Sequence, residues 1–313
     1  MVIGHEGIGE VVGMGPGVEG WMLGDRVVIN PTIHCGTCLH CLAGLYTFCQ
    51  TRVAARLGRG IGVDARREDG SLYHGMATEY VVAPPENCHR VPKDMGVVAG
   101  STLEVMAVAV RIARNAGVKV ADNVVLLGLD DLNYDIVQFL PPCTRVVVDP
   151  IPRRQELARA LGVEVVLDPT QVDVVKEVRR LMPFGADVVF ASSEDYIESS
   201  LSYSRQAFDM VRVRGTVLHV RFYLKSKAFE GIEMAYPKEV TVKLPGLKGD
   251  EPVMGGPARG DFQMAIDMVR AGKIDATPYV TRVVSLKELT SKADVDEIFA
   301  SMPEKEVKIV ITP

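Results

Sequence analysis

No uninterrupted apolar run in this chain is long enough to cross a bilayer. The best candidate, Val105 to Val110, stops at Arg111, well short of the ~20 residues a spanning helix needs. The first residues, Met1-Val2-Ile3-Gly4-His5-Glu6, lack the basic start and the apolar stretch of a secretory leader. An excess of positive charge is missing too. The 35 Lys and Arg against 40 Asp and Glu leave a formal net charge of −5, which argues against nucleic acid or an anionic membrane as the main partner. No internal repeat and no low-complexity segment stands out. These absences predict a cytoplasmic globular protein. With 313 residues, 47% hydrophobic and 24% charged, the chain is too long for one small core and fits two domains. The composition excludes a disordered or fibrous protein.

What is present begins with cysteine. Four of the six form a C-x2-C-x2-C-x7-C run: Cys35, Cys38, Cys41 and Cys49. Cysteines three apart pair poorly with one another in disulfides but can all turn their sulfurs toward one point, which suits a tetrahedral metal. Four thiolates leave no position for water, so such a zinc is structural rather than catalytic. An iron–sulfur run of the bacterial ferredoxin type has a shorter last gap followed by Pro, whereas Gln50 follows here. Free thiols packed this densely would be unusual, and structural zinc is the favoured assignment. Cys88 and Cys143 stand alone and read as packed hydrophobes. His34 and His40 flank a tetrahedron that is already full.

The pattern along the chain changes once. Up to about residue 90, short alternating runs (Gly9–Gly13, Asp25–Ile29, Thr78–Val82) separated by turn signals predict a small β-rich domain. A helix is expected from about Ser101 to Asn115, with Gly117 as its stop. From Asp122, buried-strand runs alternate with helical stretches: Val124–Gly128, Thr144–Asp149, Val163–Leu167, Asp187–Ala191 and Gly215–Arg221. Between them lie helices reaching Leu140, over Arg153–Leu161, over Val172–Leu181 and near Ser202–Val211. That alternation predicts a parallel, doubly wound α/β sheet. From about Gly246 come a helix at Phe262–Ala271 and a closing strand at Val307–Thr312.

These residues resemble a known family. Gly4-His5-Glu6-Gly7-Ile8-Gly9-Glu10-Val11, with Gly13, Gly15, Val18 and Gly24-Asp25-Arg26-Val27, looks like the motif of the zinc-containing medium-chain dehydrogenases of alcohols and polyols. Cys35-Gly36-Thr37-Cys38 with Cys41, Gly44 and Cys49 is similar to that family's structural zinc lobe, and Leu103-Glu104-Val105 to the Leu-Glu-Pro stretch of its sorbitol and threonine dehydrogenase branch. The resemblance implies a GroES-like catalytic domain over residues 1–116 and 247–313, with a Rossmann coenzyme domain over 117–246 between its parts. It also implies hydride transfer from an alcohol, polyol or sugar to NAD in the cleft between domains, and a homodimer or homotetramer. Zinc polarises the substrate oxygen in such enzymes. The implied catalytic set is His5, Glu6 and Glu104, and the implied cofactor contacts are Gly128, Leu129, Asp149 and Arg154.

The sequence departs from the family twice. The catalytic zinc there takes a Cys from a stretch roughly twenty or more residues before the Gly-His-Glu motif, and only three residues precede that motif here. Three candidate ligands remain (His5, Glu6 and Glu104), which with water would complete a tetrahedral site, although without the thiolate the zinc is held weakly or not at all. The length thus reads as that of a longer family member lacking roughly sixty N-terminal residues, with an incomplete barrel and a partly uncovered core. The second departure is the nucleotide loop. The family's Gly-x-Gly-x-x-Gly is replaced by Gly128-Leu129-Asp130-Asp131-Leu132-Asn133. The lost glycines are those that let backbone N–H groups approach the pyrophosphate and let helix and strand pack closely. Asp130 and Asp131 would cap the helix themselves and repel phosphate. Asp149, 21 residues after Gly128, stands where an acid holds the adenosine ribose and favours NAD over NADP, with Arg153 and Arg154 partly offsetting that preference.

Three functions are therefore open: a zinc-dependent, NAD-linked dehydrogenase with weakened cofactor binding; a degenerate relative serving as a binding or assembly subunit; and a non-redox enzyme using zinc as a Lewis acid in the same cleft.

Overall fold

A computed structural model describes residues 4–51, 60–62, 74–192, 203–221, 230–245, 260–289, 291–301 and 307–313. The strands are β1 (Ile8–Glu10), β2 (Arg26–Ile29), β3 (Cys88–Arg90), β4 (Asn123–Leu127), β5 (Thr144–Val148), β6 (Val165–Leu167), β7 (Ala186–Ser192), β8 (Val211–Arg221), β9 (Thr241–Lys243), β10 (Val280–Ser285) and β11 (Lys308–Thr312). The helices are α1 (Leu39–Leu42), α2 (Val97–Ser101), α3 (Leu103–Ala116), α4 (Asp131–Phe139), α5 (Pro152–Ala160), α6 (Val174–Leu181), α7 (Tyr203–Met210), α8 (Ala235–Lys238), α9 (Asp261–Arg270) and α10 (Lys292–Ser301). No helix among the described residues is long and apolar enough to cross a membrane.

The chain divides into two compact units, one of residues 1–111, 248–298 and 308–313 and the other of 112–247 and 299–307. The second unit holds a six-stranded sheet of order β6-β5-β4-β7-β8-β9 in which every pair is parallel. Val124 to Leu127 of β4 and Val146 to Val148 of β5 are fully buried, the near-continuous apolar run of a strand covered on both faces. A cluster of buried side chains joins Val125, Leu127, Val146 and Val148 to Val178, Phe208 and Met210. The order reverses between β4 and β7, and the carboxyl ends of those strands form the switch point at which such sheets hold ligands. Pro141 and Pro142 follow Leu140, which ends α4, because a residue before proline avoids helical angles.

In the first unit β1, β2 and β3 form an antiparallel sheet, with Ile8 opposite Val28 and Val28 opposite His89. Here the structure corrects the sequence reading. The run Thr78–Val82 forms no strand; Tyr80 and Val82 are largely exposed, and no described segment supplies the ladder a strand requires. The third strand is instead Cys88–Arg90. The closing strand pairs in parallel with β10, Val283 opposite Val310; the pattern of Val280–Ser285 by itself does not mark it as a strand. Ser202 and Gly246 lie outside the described residues. A cavity of about 680 Å³ opens in this unit between Ile8, Val11, Val27, Ile29, Val81 and Val310.

Candidate functional site

The four clustered cysteines are brought together by a tight loop. Gly36 takes a positive φ of 71°, which turns the chain between Cys35 and Cys38, and α1 lifts Cys41 back toward them. One sulfur from each lies within 4.8 Å of the others, and Cys35 Sγ is 3.9 Å from Cys41 Sγ. Sulfurs at ~2.3 Å from a tetrahedral zinc stand ~3.8 Å apart, so the spacing fits that ion. Backbone N–H groups point at the sulfurs: Cys38 N to Cys35 Sγ and Cys35 N to Cys49 Sγ, both at 3.4 Å. The Thr51 hydroxyl, then the Thr37 hydroxyl and nearby N–H groups, pull the Cys35 thiol down to about 5. Burial pushes the Cys41 thiol up to about 12. A thiolate ready to bind beside a thiol that ionises only with a cation present is the expected chemistry of a metal nest. The threonines could not be picked out from spacing alone. His34 lies against Tyr46 with ring centroids 4.2 Å apart, His40 tilts toward Phe48 at 6.4 Å, and neither joins the ligand cluster. The Cys88 thiol, pushed up to about 11 by burial, donates to Pro84 O, as befits a packed side chain.

The second cluster joins the segment before β1 to α3. Gly4, at φ +91°, brings the backbone against Ala77, whose N would lie 3.2 Å from any Cβ at this position; His5 and Glu6 follow directly. Glu104 sits in the first turn of α3, 6% exposed. Ligand atoms of His5, Glu6 and Glu104 all lie within 4.8 Å of one another. One imidazole and two carboxylates form an acceptable zinc set, and their convergence fits one. A partner that spacing did not reveal also enters here. Lys308, at the start of β11, donates from Nζ to Glu6 Oε2.

The third group lies at the switch point. Gly128 takes φ +86°, turning the chain sharply out of β4. Asp130 caps α4, its Oδ1 accepting from Asn133 N at 2.8 Å, and its Oδ2 accepts from Ser192 Oγ at 3.0 Å at the end of β7. Asn133 is fully buried and donates from Nδ2 to Gly128 O at 2.8 Å. Asp149, fully buried, accepts from Leu129 N at 2.7 Å and from Ile151 N at 2.8 Å. Arg154 Nη1 stands 3.6 Å from Asp149 Oδ2. Burial raises the Asp149 carboxyl against the pull of Arg154 and those two N–H groups. Arg153 pairs with Glu156 instead. Gly128, Leu129, Asp149 and Arg154 thus come together, but bonded to one another. Ser192 escapes a reading of the sequence because only the fold brings it across from a loop 62 residues earlier. In this arrangement the loop does not fit a dinucleotide: the Leu129 and Asn133 amides, which would face a pyrophosphate, are taken by the Asp149 and Asp130 carboxylates.

Two family models match the chain, the alcohol dehydrogenase GroES-like domain over residues 1–93 and the zinc-binding dehydrogenase over residues 143–247. The chain is 27% identical to "Probable D-xylulose reductase A" of Aspergillus clavatus, over 92% of this chain and 75% of that protein. It is 25% identical to sorbitol dehydrogenase of Halalkalibacterium halodurans, over 100% of this chain and 83% of that protein. Among solved structures, 2R,3R-butanediol dehydrogenase from Bacillus subtilis is similar with a TM-score of 0.76 at 25% identity, covering 99% of this chain and 80% of that one.

Proposed function

The chain belongs to the zinc-containing medium-chain dehydrogenase/reductase family, and from that premise we propose that it acts as a zinc-dependent oxidoreductase of small alcohols and polyols, with His5, Glu6 and Glu104 as its catalytic zinc set. The observation that carries this is the convergence of those three residues from two separate elements within 4.8 Å, beside a four-cysteine nest that suits a separate structural zinc. A zinc ion held by the first set supplies Lewis-acid polarisation of a substrate hydroxyl, lowering its pKa toward neutrality.

The residues of the chain do the rest of the positioning. Glu104 is buried in the first turn of α3, which restricts the directions in which its carboxylate can be presented. Lys308 holds Glu6 from the side of β11 and shares its negative charge, which tempers the attraction of the set for a cation. The family's cofactor is a nicotinamide dinucleotide, and the closed loop after β4 gives it no open seat. That same loop favours a second reading, a family member kept for binding or assembly. Four cysteines that converge as a metal nest and form no disulfide among the described residues support a cytoplasmic location. The open edge of β9, paired with β8 alone among the described strands, supports assembly into a homodimer or homotetramer.

The test is turnover of sorbitol, D-xylulose and 2R,3R-butanediol by zinc-loaded protein with NAD or NADH, followed by nicotinamide absorbance, beside Glu104→Gln. Zinc-dependent turnover that Glu104→Gln abolishes supports the reading. No turnover, together with zinc content untouched by Glu104→Gln, overturns it.

A further inference from the structure

We propose that Asp130 is a built-in occupant of the phosphate seat at the sheet's switch point, a carboxylate plug that suppresses dinucleotide affinity in this chain. The proposal rests on the family assignment and concerns what this particular polypeptide does with the family's cofactor crevice.

The seat exists. Gly128 makes the sharp turn at the end of β4, α4 is a nine-residue helix starting at Asp131, and the strand order reverses beside it. A helix start at such a place offers unpaired N–H groups and the positive end of the helix dipole to an anion. Here the anion belongs to the chain itself. Asp130 occupies the place of the second glycine, where a side chain stands between the backbone and any incoming pyrophosphate. Its Oδ1 takes the Asn133 N–H, and its Oδ2 is tied across the crevice to Ser192 Oγ. The bond to Ser192 matters most for the argument, because an ordinary helix cap needs only the first contact. The second locks the carboxylate between β4 and β7, and the residue is only 6% exposed.

The neighbours reinforce the closure. Leu129 N, the amide before Asp130, is taken by Asp149. Asn133, in the place of the third glycine, spends its amide group on Gly128 O, while its own Oδ1 is buried without a hydrogen-bond partner. Asp131 adds a second carboxylate to the first turn, and its Oδ1 accepts from Leu132 N at 2.9 Å. A pyrophosphate entering this loop would have to displace Asp130 from two bonds and then lie against two carboxylates.

The experiment compares NADH binding to wild-type chain, Asp130→Gly and Asp130→Asn by calorimetry and nicotinamide fluorescence, with circular dichroism and zinc content as folding controls. Asp130→Gly removes both bulk and charge. Asp130→Asn keeps a cap and removes charge alone, and it carries the test if the glycine variant does not fold. The expected result is NADH affinity at least tenfold tighter in Asp130→Gly than in wild type, with Asp130→Asn between them. A second expected readout is a thermal midpoint for Asp130→Gly that falls without ligand and recovers with NADH. Equal affinity in all three overturns the plug. If that shared affinity is micromolar, the dehydrogenase reading stands without it; if none of the three binds NADH, the dehydrogenase reading falls as well.

Discussion

His89 lies flat on Phe262, with ring centroids 4.6 Å apart and planes within 3° of parallel. Phe262 is 1% exposed in the first turn of α9 and His89 is the middle residue of β3, so the stack ties two distant parts of the first unit. Burial, and secondarily the charge of His34, lower the imidazole from 6.5 to about 4. The folded chain therefore holds His89 neutral over a range in which the unfolded chain protonates it. Stability from this group is complete above about pH 6.5 and is lost as pH falls toward 4, by an amount on the order of 2 kcal/mol for a partly buried ring. Urea midpoints measured across this range should fall with acid in the wild type and flatten in His89→Phe. The same acid slope in both proteins would show that the stack is not the sensor.

The cysteine nest predicts metal content. Replacing Cys38 by Ser removes one of four converging sulfurs, and a three-thiolate site binds zinc far less tightly. Elemental analysis of Cys38→Ser should show about one zinc fewer per chain than wild type, with a lower thermal midpoint. Unchanged zinc would mean that the four sulfurs do not hold a metal.

Lys308 predicts the opposite direction at the other cluster. An ammonium bonded to Glu6 competes with a divalent cation for the same carboxylate oxygens, since like charges placed close together repel. In Lys308→Met the carboxylate is released, and zinc at the second set should bind about tenfold tighter, a difference of roughly 1.4 kcal/mol, read by competition with a chromogenic chelator. Binding no tighter than in wild type would reduce Lys308 to an anchor for β11.

Much of the second unit was legible because its signals are local. Val124–Leu127 and Val146–Val148 are apolar runs bounded by turn residues, and two of the helices carry their own caps, Asp130 and Asp173. The cysteine spacing is equally local, and it points to a metal without any knowledge of the fold. Thr78–Val82 misled because alternation states only that a segment could be a strand; a ladder needs a neighbour, and alternation does not supply one. Val280–Ser285 shows the converse. Its residues Val280, Thr281, Val283 and Val284 are β-branched and favour a strand, but its partner β11 lies more than twenty residues further along the chain.

The order of residues alone determined the family, the division into a β-rich part and a βα-alternating part, the zinc-suited cysteines and the loss of two glycines from the phosphate loop. Each depends on residue type and short spacing. Only the tertiary structure decided where the charges go. It set Lys308 on Glu6 across 302 positions of sequence, tied Asp130 to Ser192, and turned the Asp149 carboxylate onto the backbone N–H groups of Leu129 and Ile151. A carboxylate takes its role from the donors within reach, and those donors are brought near by packing rather than by neighbouring residues in the chain.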